Sequence, residues 1–188
     1  MRWVDDLEAE HRAVGRMLKV LRAMAARLES GGKVTESDIA ASLEFLKVFV
    51  DECHHAKEEK LLIPALAAAG VPVASGVVDL VIEEHAEGRH SVSEMRKHAA
   101  GMSMGDRGAA AAGFAAEAHG YSSLMERHIV REEAELYPRG EATLDEATQI
   151  ALADSFDTME RDVIGPGVHE AFHEMLERLA LAYGTGES

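Results

Sequence analysis

Cysteine occurs once in the 188 residues, as Cys53, so an internal disulfide framework is excluded. No run of 18 or more apolar residues exists, and no transmembrane helix is expected. Basic residues are scarce, 19 against 34 acidic ones. The resulting net charge of −15 would repel nucleic-acid phosphates, which argues against a nucleic-acid partner. Proline appears only four times, and no low-complexity linker divides the chain. The segment Met1-Arg2-Trp3-Val4-Asp5-Asp6 is acidic and amphipathic and lacks the apolar stretch of a signal peptide, so a cytoplasmic setting is the expectation.

What remains is a helix-forming composition. Ala, Leu, Glu, Met and Arg dominate, and 47% of the residues are hydrophobic, enough for one domain with a sizeable core. Apolar residues recur at helical spacing in five segments, expected at about 4–28, 36–69, 76–100, 106–137 and 143–183, the last broken around Gly165-Pro166-Gly167. Thr35 with Asp38 and Thr143 with Glu146 read as capping boxes, and Ser103 as an N-cap. Gly31-Gly32 and Gly70 read as stops. Short connections favour antiparallel neighbours. The expected fold is therefore all-α: an antiparallel up-down four-helix bundle over 4–138 with an additional C-terminal helical extension over 143–183. Residues 1–188 are expected to form a single domain. Pro64 falls inside the second helix and is expected to kink it.

One phrase occurs twice, 74 residues apart (128 − 54): His54-x-x-x-Glu58-Glu59-x-x-Leu62-x-Pro64 and His128-x-x-x-Glu132-Glu133-x-x-Leu136-x-Pro138. A basic residue precedes each first Glu, as Lys57 and Arg131. His and Glu four apart share one helix face. Stepping by 3.6 residues from His54 meets Val50, Leu43, Glu58, Leu61 and Ala65, the apolar stripe. The same walk from His55 meets Asp51 and Glu44. His54 and Glu58 are thus read as facing inward, with His55 and Glu59 flanking. By the same test His128 and Glu132 face inward in the fourth helix, with Glu133 beside them. His85 shares a face with Val78, Val81 and Val92, and His11 with Leu7, Val14 and Leu18.

Each of these histidines alone suits a hydrogen-bonded core position. Together, four imidazoles and two carboxylates on four facing stripes would make a costly polar core lacking a cation. A pair of metal ions supplies the missing positive charge. The mixed nitrogen and oxygen donor set His11, His54, Glu58, His85, His128 and Glu132 suits iron, with manganese or zinc as substitutes.

These residues resemble the hemerythrin-like, HHE cation-binding domain proteins of bacteria. The resemblance rests on Glu10-His11, on Cys53-His54-His55-Ala56-Lys57-Glu58-Glu59, on Glu84-His85-Ala86-Glu87-Gly88-Arg89 and on His128-Ile129-Val130-Arg131-Glu132-Glu133, and covers roughly Asp5 to Pro138. It implies a four-helix bundle with a non-haem di-iron centre, often redox-active toward O2, NO or peroxide. The oxygen-carrying members place a second His four residues after the third-helix His, where this chain has Arg89, and use His-x-x-x-x-Asp in the fourth helix. The six-ligand set therefore looks more like the stress-response and sensing branch. Binding of, or reaction with, a small diatomic or peroxide ligand is the expectation, with an unidentified reductant. A di-iron redox enzyme for peroxide, NO or ferrous iron, and an iron storage or delivery protein, are the alternatives.

Other residues carry weaker signals. Tyr121, two turns before His128, has three roles open: a hydrogen bond to a ligand, an iron position, or packing. Arg89 is open to pairing with a carboxylate near the site or at the surface. His169 and His173 form an i, i+4 pair read as a solvated helix face, and His90, His98 and His119 read as exposed.

Overall fold

The computed structural model describes residues 1–105, 107–163, 165 and 167–186. Among them every regular element is helical. Helix α1 is Arg2–Glu29. Helix α2 spans 36–68 as α-helical Glu36–Glu44, π-helical Phe45–His55 and Glu58–Leu62, and α-helical Ile63–Ala68. Helix α3 is Val77–Ser103. Helix α4 spans 107–143 and contains a π turn at Glu132–Leu136. Helices α5 (Glu146–Val163) and α6 (Val168–Ala182) follow. The expected helix start at Asp106 and the break at Pro166 lie outside the described residues.

Two apolar clusters form the core. One holds Val14, Leu18, Leu46, Phe49, Met95, Phe114 and Met125. The other holds Trp3, Leu7, Leu62, Leu66, Val78, Val81, Leu136 and Tyr137. Helices α1 and α3 run from the second cluster to the first, and α2 and α4 run the opposite way, which is the up-down order. On each helix the switch between clusters falls at its inward histidine or His/Glu pair. The polar layer is therefore a slab at mid-bundle with an apolar core above and below it.

Helices α5 and α6 extend the bundle along α1 and α2. The Trp3 indole donates to Gln149 Oε1 at 3.0 Å. Phe172 packs edge-on against Phe45 and Phe49. Arg178 and the Tyr183 hydroxyl donate to Asp38 at 2.7 and 2.9 Å.

Local signals fared unevenly. Thr35 does cap α2, accepting from the Asp38 amide at 3.1 Å. The reciprocal half of that box is absent, because the Asp38 carboxylate is engaged by α6. Asp145, not Thr143, caps α5 through the Thr148 amide at 2.8 Å. Ser103 ends α3 instead of starting α4, its hydroxyl turned back to the Ala99 carbonyl. Neither Pro64 nor Pro138 breaks its helix. Each follows a π turn, at Glu58–Leu62 and Glu132–Leu136, and begins a new α segment. Proline has no N–H and its ring crowds the preceding turn, so a widened turn just before it relieves both problems.

Candidate metal centre

Six buried side chains from four helices converge at the slab: His11 from α1, His54 and Glu58 from α2, His85 from α3, and His128 and Glu132 from α4. They form two similar pairs of histidines. His11 Nε2 lies 3.1 Å from His54 Nε2, and His85 Nε2 lies 3.2 Å from His128 Nε2. The two carboxylates lie between the pairs. Glu132 is 3.1 Å from His11 through Oε2 and 3.1 Å from His128 through Oε1. Glu58 Oε2 is 3.3 Å from His85 and 3.8 Å from His54.

The outer nitrogens determine what the inner ones present. Each Nδ1 faces a carboxylate: His11 to Glu133 at 2.9 Å, His54 to Glu10 at 2.8 Å, His85 to Glu59 at 2.8 Å and His128 to Glu84 at 3.1 Å. A carboxylate accepts only, so Nδ1 carries the proton and the Nε2 lone pairs face inward. Lone pairs then confront one another at 3.1–3.2 Å. Glu58 Oε2 and Glu132 Oε1, both buried, accept no hydrogen bond among the described residues. This donor set is complete except for cations. Without them, protons must serve instead. Burial opposes a charge on His85, but Glu132, Glu58 and Glu59 outweigh it and raise its pKa to about 11. His128 is raised to about 9 against the same burial, chiefly by Glu132. Glu132 itself is held well below the usual carboxylate range, its burial overcome by His128, His11 and His85.

The hemerythrin HHE cation-binding domain family matches residues 3–139. The chain belongs to this family. No curated protein and no solved structure was found to match it. As a hemerythrin HHE domain it binds metal cations, and clusters of His and Glu stand within ligand distance of one another at mid-bundle.

The HHE slab is built on the internal repeat. The offset between His54 and His128 also relates Glu10 to Glu84, His11 to His85, Lys57 to Arg131, Glu58 to Glu132 and Glu59 to Glu133. The contacts repeat with the residues. Lys57 donates to Glu10 as Arg131 donates to Glu84.

Two polar residues at the slab have only an isoleucine as counterpart in the other copy. Tyr137, where the first copy has Ile63, donates its hydroxyl to Glu58 Oε1 at 2.8 Å and lies 3.2 Å from His11 Nε2. His55, where the second copy has Ile129, is 3% exposed and stacks on His85 with ring centroids 3.9 Å apart. With His85 and His128 it forms a third donor group. The register reading of His55 as flanking is thus corrected, and the π-helical stretch Phe45–His55 is the reason. Its wider turns move successive residues around the axis less, so His54 and His55 both turn inward.

The π turn at Glu132–Leu136 has the same effect on Tyr137. On a regular helix it would point well away from Glu132, five residues earlier; a π turn brings residue i+5 back over residue i. The duplicated proline after each motif was the available signal for these turns. Tyr121, the tyrosine singled out from sequence, is buried and makes no hydrogen bond to these donors. Arg89 donates to Asp51 at 3.0 Å and to Glu59 at 2.9 Å, which backs the carboxylate holding His85. His169 lies 2.9 Å from Glu160, away from the slab. Glu10, Cys53 and Glu160 also approach one another closely. The Lys57 ammonium lies among them, donating to Glu10 and Glu160, and so already supplies the cation there.

Proposed function

We propose that the slab holds a dinuclear iron centre and that the protein binds or reacts with a small oxidant such as O2, NO or peroxide. His11 and His54 would hold one ion and His85 and His128 the other, with Glu58 and Glu132 shared between them. His55 is an added nitrogen donor at the second position. The observation that carries this reading is the inward convergence of four imidazole lone pairs on two buried carboxylates, each with one oxygen, Glu58 Oε2 and Glu132 Oε1, that lacks a hydrogen-bond partner among the described residues. The donor mix fits iron, with manganese and zinc as substitutes. Bound iron would supply one-electron redox chemistry and open positions for a small ligand.

The chain's own residues set the conditions for that chemistry. Glu10, Glu59, Glu84 and Glu133 fix the imidazole tautomers and raise ligand basicity. The Tyr137 hydroxyl holds Glu58 Oε1 and lies beside His11, where it can orient a shared carboxylate or donate a proton. Burial and the carboxylates of Glu132 and Glu58 push the Tyr137 phenol well above its ordinary value, so it stays protonated. The apolar clusters on either side keep bulk water from the slab.

Reconstitution with ferrous iron under anaerobic conditions tests the reading. About two irons per chain are expected from the number of donors. Stoichiometric zinc with no iron uptake would contradict it. Mixing the loaded protein with O2, NO and peroxide in turn distinguishes reversible binding, slow autoxidation and turnover, and so separates sensing or binding from enzymatic consumption.

A further inference from the structure

The two halves of the slab differ in what covers them. The His11–His54 half is closed by the Tyr137 hydroxyl, by Trp3 set edge-on to Tyr137 at 5.8 Å, and by the buried Lys57. On the other side a cavity of about 320 Å³ opens among α2, α3 and α4, and His55, Asp51, Gly88, Arg89 and Tyr121 are among its walls. His55 belongs both to this wall and to the donor group with His85 and His128. It is almost wholly buried, and its Nδ1 has no hydrogen bond among the described residues. Nδ1 stands 3.6 Å from the Asp51 carboxylate, too far for one. A buried, unpartnered polar group in the wall of a cavity that reaches a donor cluster is the signature of a ligand position.

Glycine at position 88 helps keep the space open. A Cβ there would lie 3.3 Å from Met125 Cε and 3.5 Å from a Tyr121 ring carbon, so any side chain projects into the packing around the cavity. The lining also limits the ligand. Leu46, Val92 and Tyr121 are apolar or aromatic, whereas Lys47, Arg89 and Arg96 bring side-chain N–H donors to the lining, each near a carboxylate: Glu52, Asp51 with Glu59, and Glu44. Arg89, one of the lining residues, makes both its ion pairs through Nη1. A lining whose polar side chains are mainly N–H donors favours a small polar or anionic acceptor over a cation.

We propose that a small polar or singly anionic ligand of two or three heavy atoms enters through this cavity, meets His55, and binds beside His85 and His128 rather than beside His11 and His54. The proposal rests on the dinuclear reading above. Azide is the probe, followed by its absorption change on the iron-loaded oxidised protein in stopped flow. Iron content is measured first for each variant, which separates loss of the metal pair from loss of the route. Ser93→Trp, at an exposed position on the cavity rim, is expected to slow azide association roughly tenfold, and Gly88→Ala by a few-fold, with iron content unchanged. Ser155→Trp on α5, on the opposite side, is expected to leave the rate unchanged. Unaltered association in both Ser93→Trp and Gly88→Ala, slowing by Ser155→Trp alone, or no azide response in iron-loaded wild type would each overturn the proposal.

Discussion

The two halves of the slab are copies in their inward histidines and glutamates and in the carboxylates behind them, and differ in a few residues packed around these. Four histidines, two central carboxylates and four outer carboxylates follow a single offset, and their distances repeat to within a few tenths of an ångström for all four outer pairs and both histidine pairs. Holding two like cations needs only that repeat. The departures are Tyr137 against Ile63, His55 against Ile129, and Lys57, buried with two carboxylates, against the half-exposed Arg131 with Glu84. One half is thereby sealed and hydrogen-bonded, and the other is opened to a cavity. On the proposed dinuclear reading, symmetry serves binding and its breakage gives the two positions different surroundings.

The largest expected effect removes the symmetry axis itself. Glu58→Ala with Glu132→Ala should abolish uptake of both ions, read by metal analysis after dialysis, because every proposed position shares these carboxylates. Lys57→Met comes next. It leaves Glu10 buried without its cation and should cost about 3 kcal/mol in urea unfolding, whereas the equivalent Arg131→Met should cost about 1 kcal/mol or less at a more exposed pair. Equal losses would show that the two halves are supported alike.

Tyr137→Phe follows, at about 2 kcal/mol in the metal-free protein, since it takes the hydroxyl from a buried charged acceptor. Its counterpart Ile63→Val should cost about 1 kcal/mol from packing alone. Acidification probes both halves more gently. Glu160 is held at about 2, chiefly by His169 and with help from Lys57, against its own burial. Glu59 is held at about 2 by His85 first and then by Arg89, again against burial. Both folded values lie below the ordinary 4.5, so each contributes stability above that pH and loses it as pH falls toward 2. Unfolding between pH 6 and 3 should show the decline, and Glu160→Gln should flatten it. Least of all, His169→Ala with His173→Ala should leave metal content unchanged.

Much of this slab could be read from residue order. The spacing of His54 to Glu58 and of His128 to Glu132, and the apolar neighbours of His11 and His85, were enough to place six donors on facing stripes. The order of elements followed from helix stops such as Gly70 and from short connections. What regular periodicity could not supply were the residues that depend on a change of period. His55 and Tyr137 reach the site because π-helical turns shift the register, and a walk at 3.6 residues per turn sends both elsewhere. Asp145, two residues further on, took the cap from Thr143 as a competing local pattern, whereas Asp38 was drawn away from its box by Arg178, a tertiary partner that outweighs a local pattern worth about 1 kcal/mol. The lysine bridge to Glu160 joins residues 103 positions apart, and nothing local marks it.

Mössbauer spectroscopy of protein loaded with iron-57 tests the central claim most directly. Two irons per chain in two distinct environments of equal intensity are expected, one set beside Tyr137, His11 and His54 and the other beside His55, His85 and His128. A single iron per chain, or a pair of identical environments, would contradict a dinuclear centre whose halves have been made different.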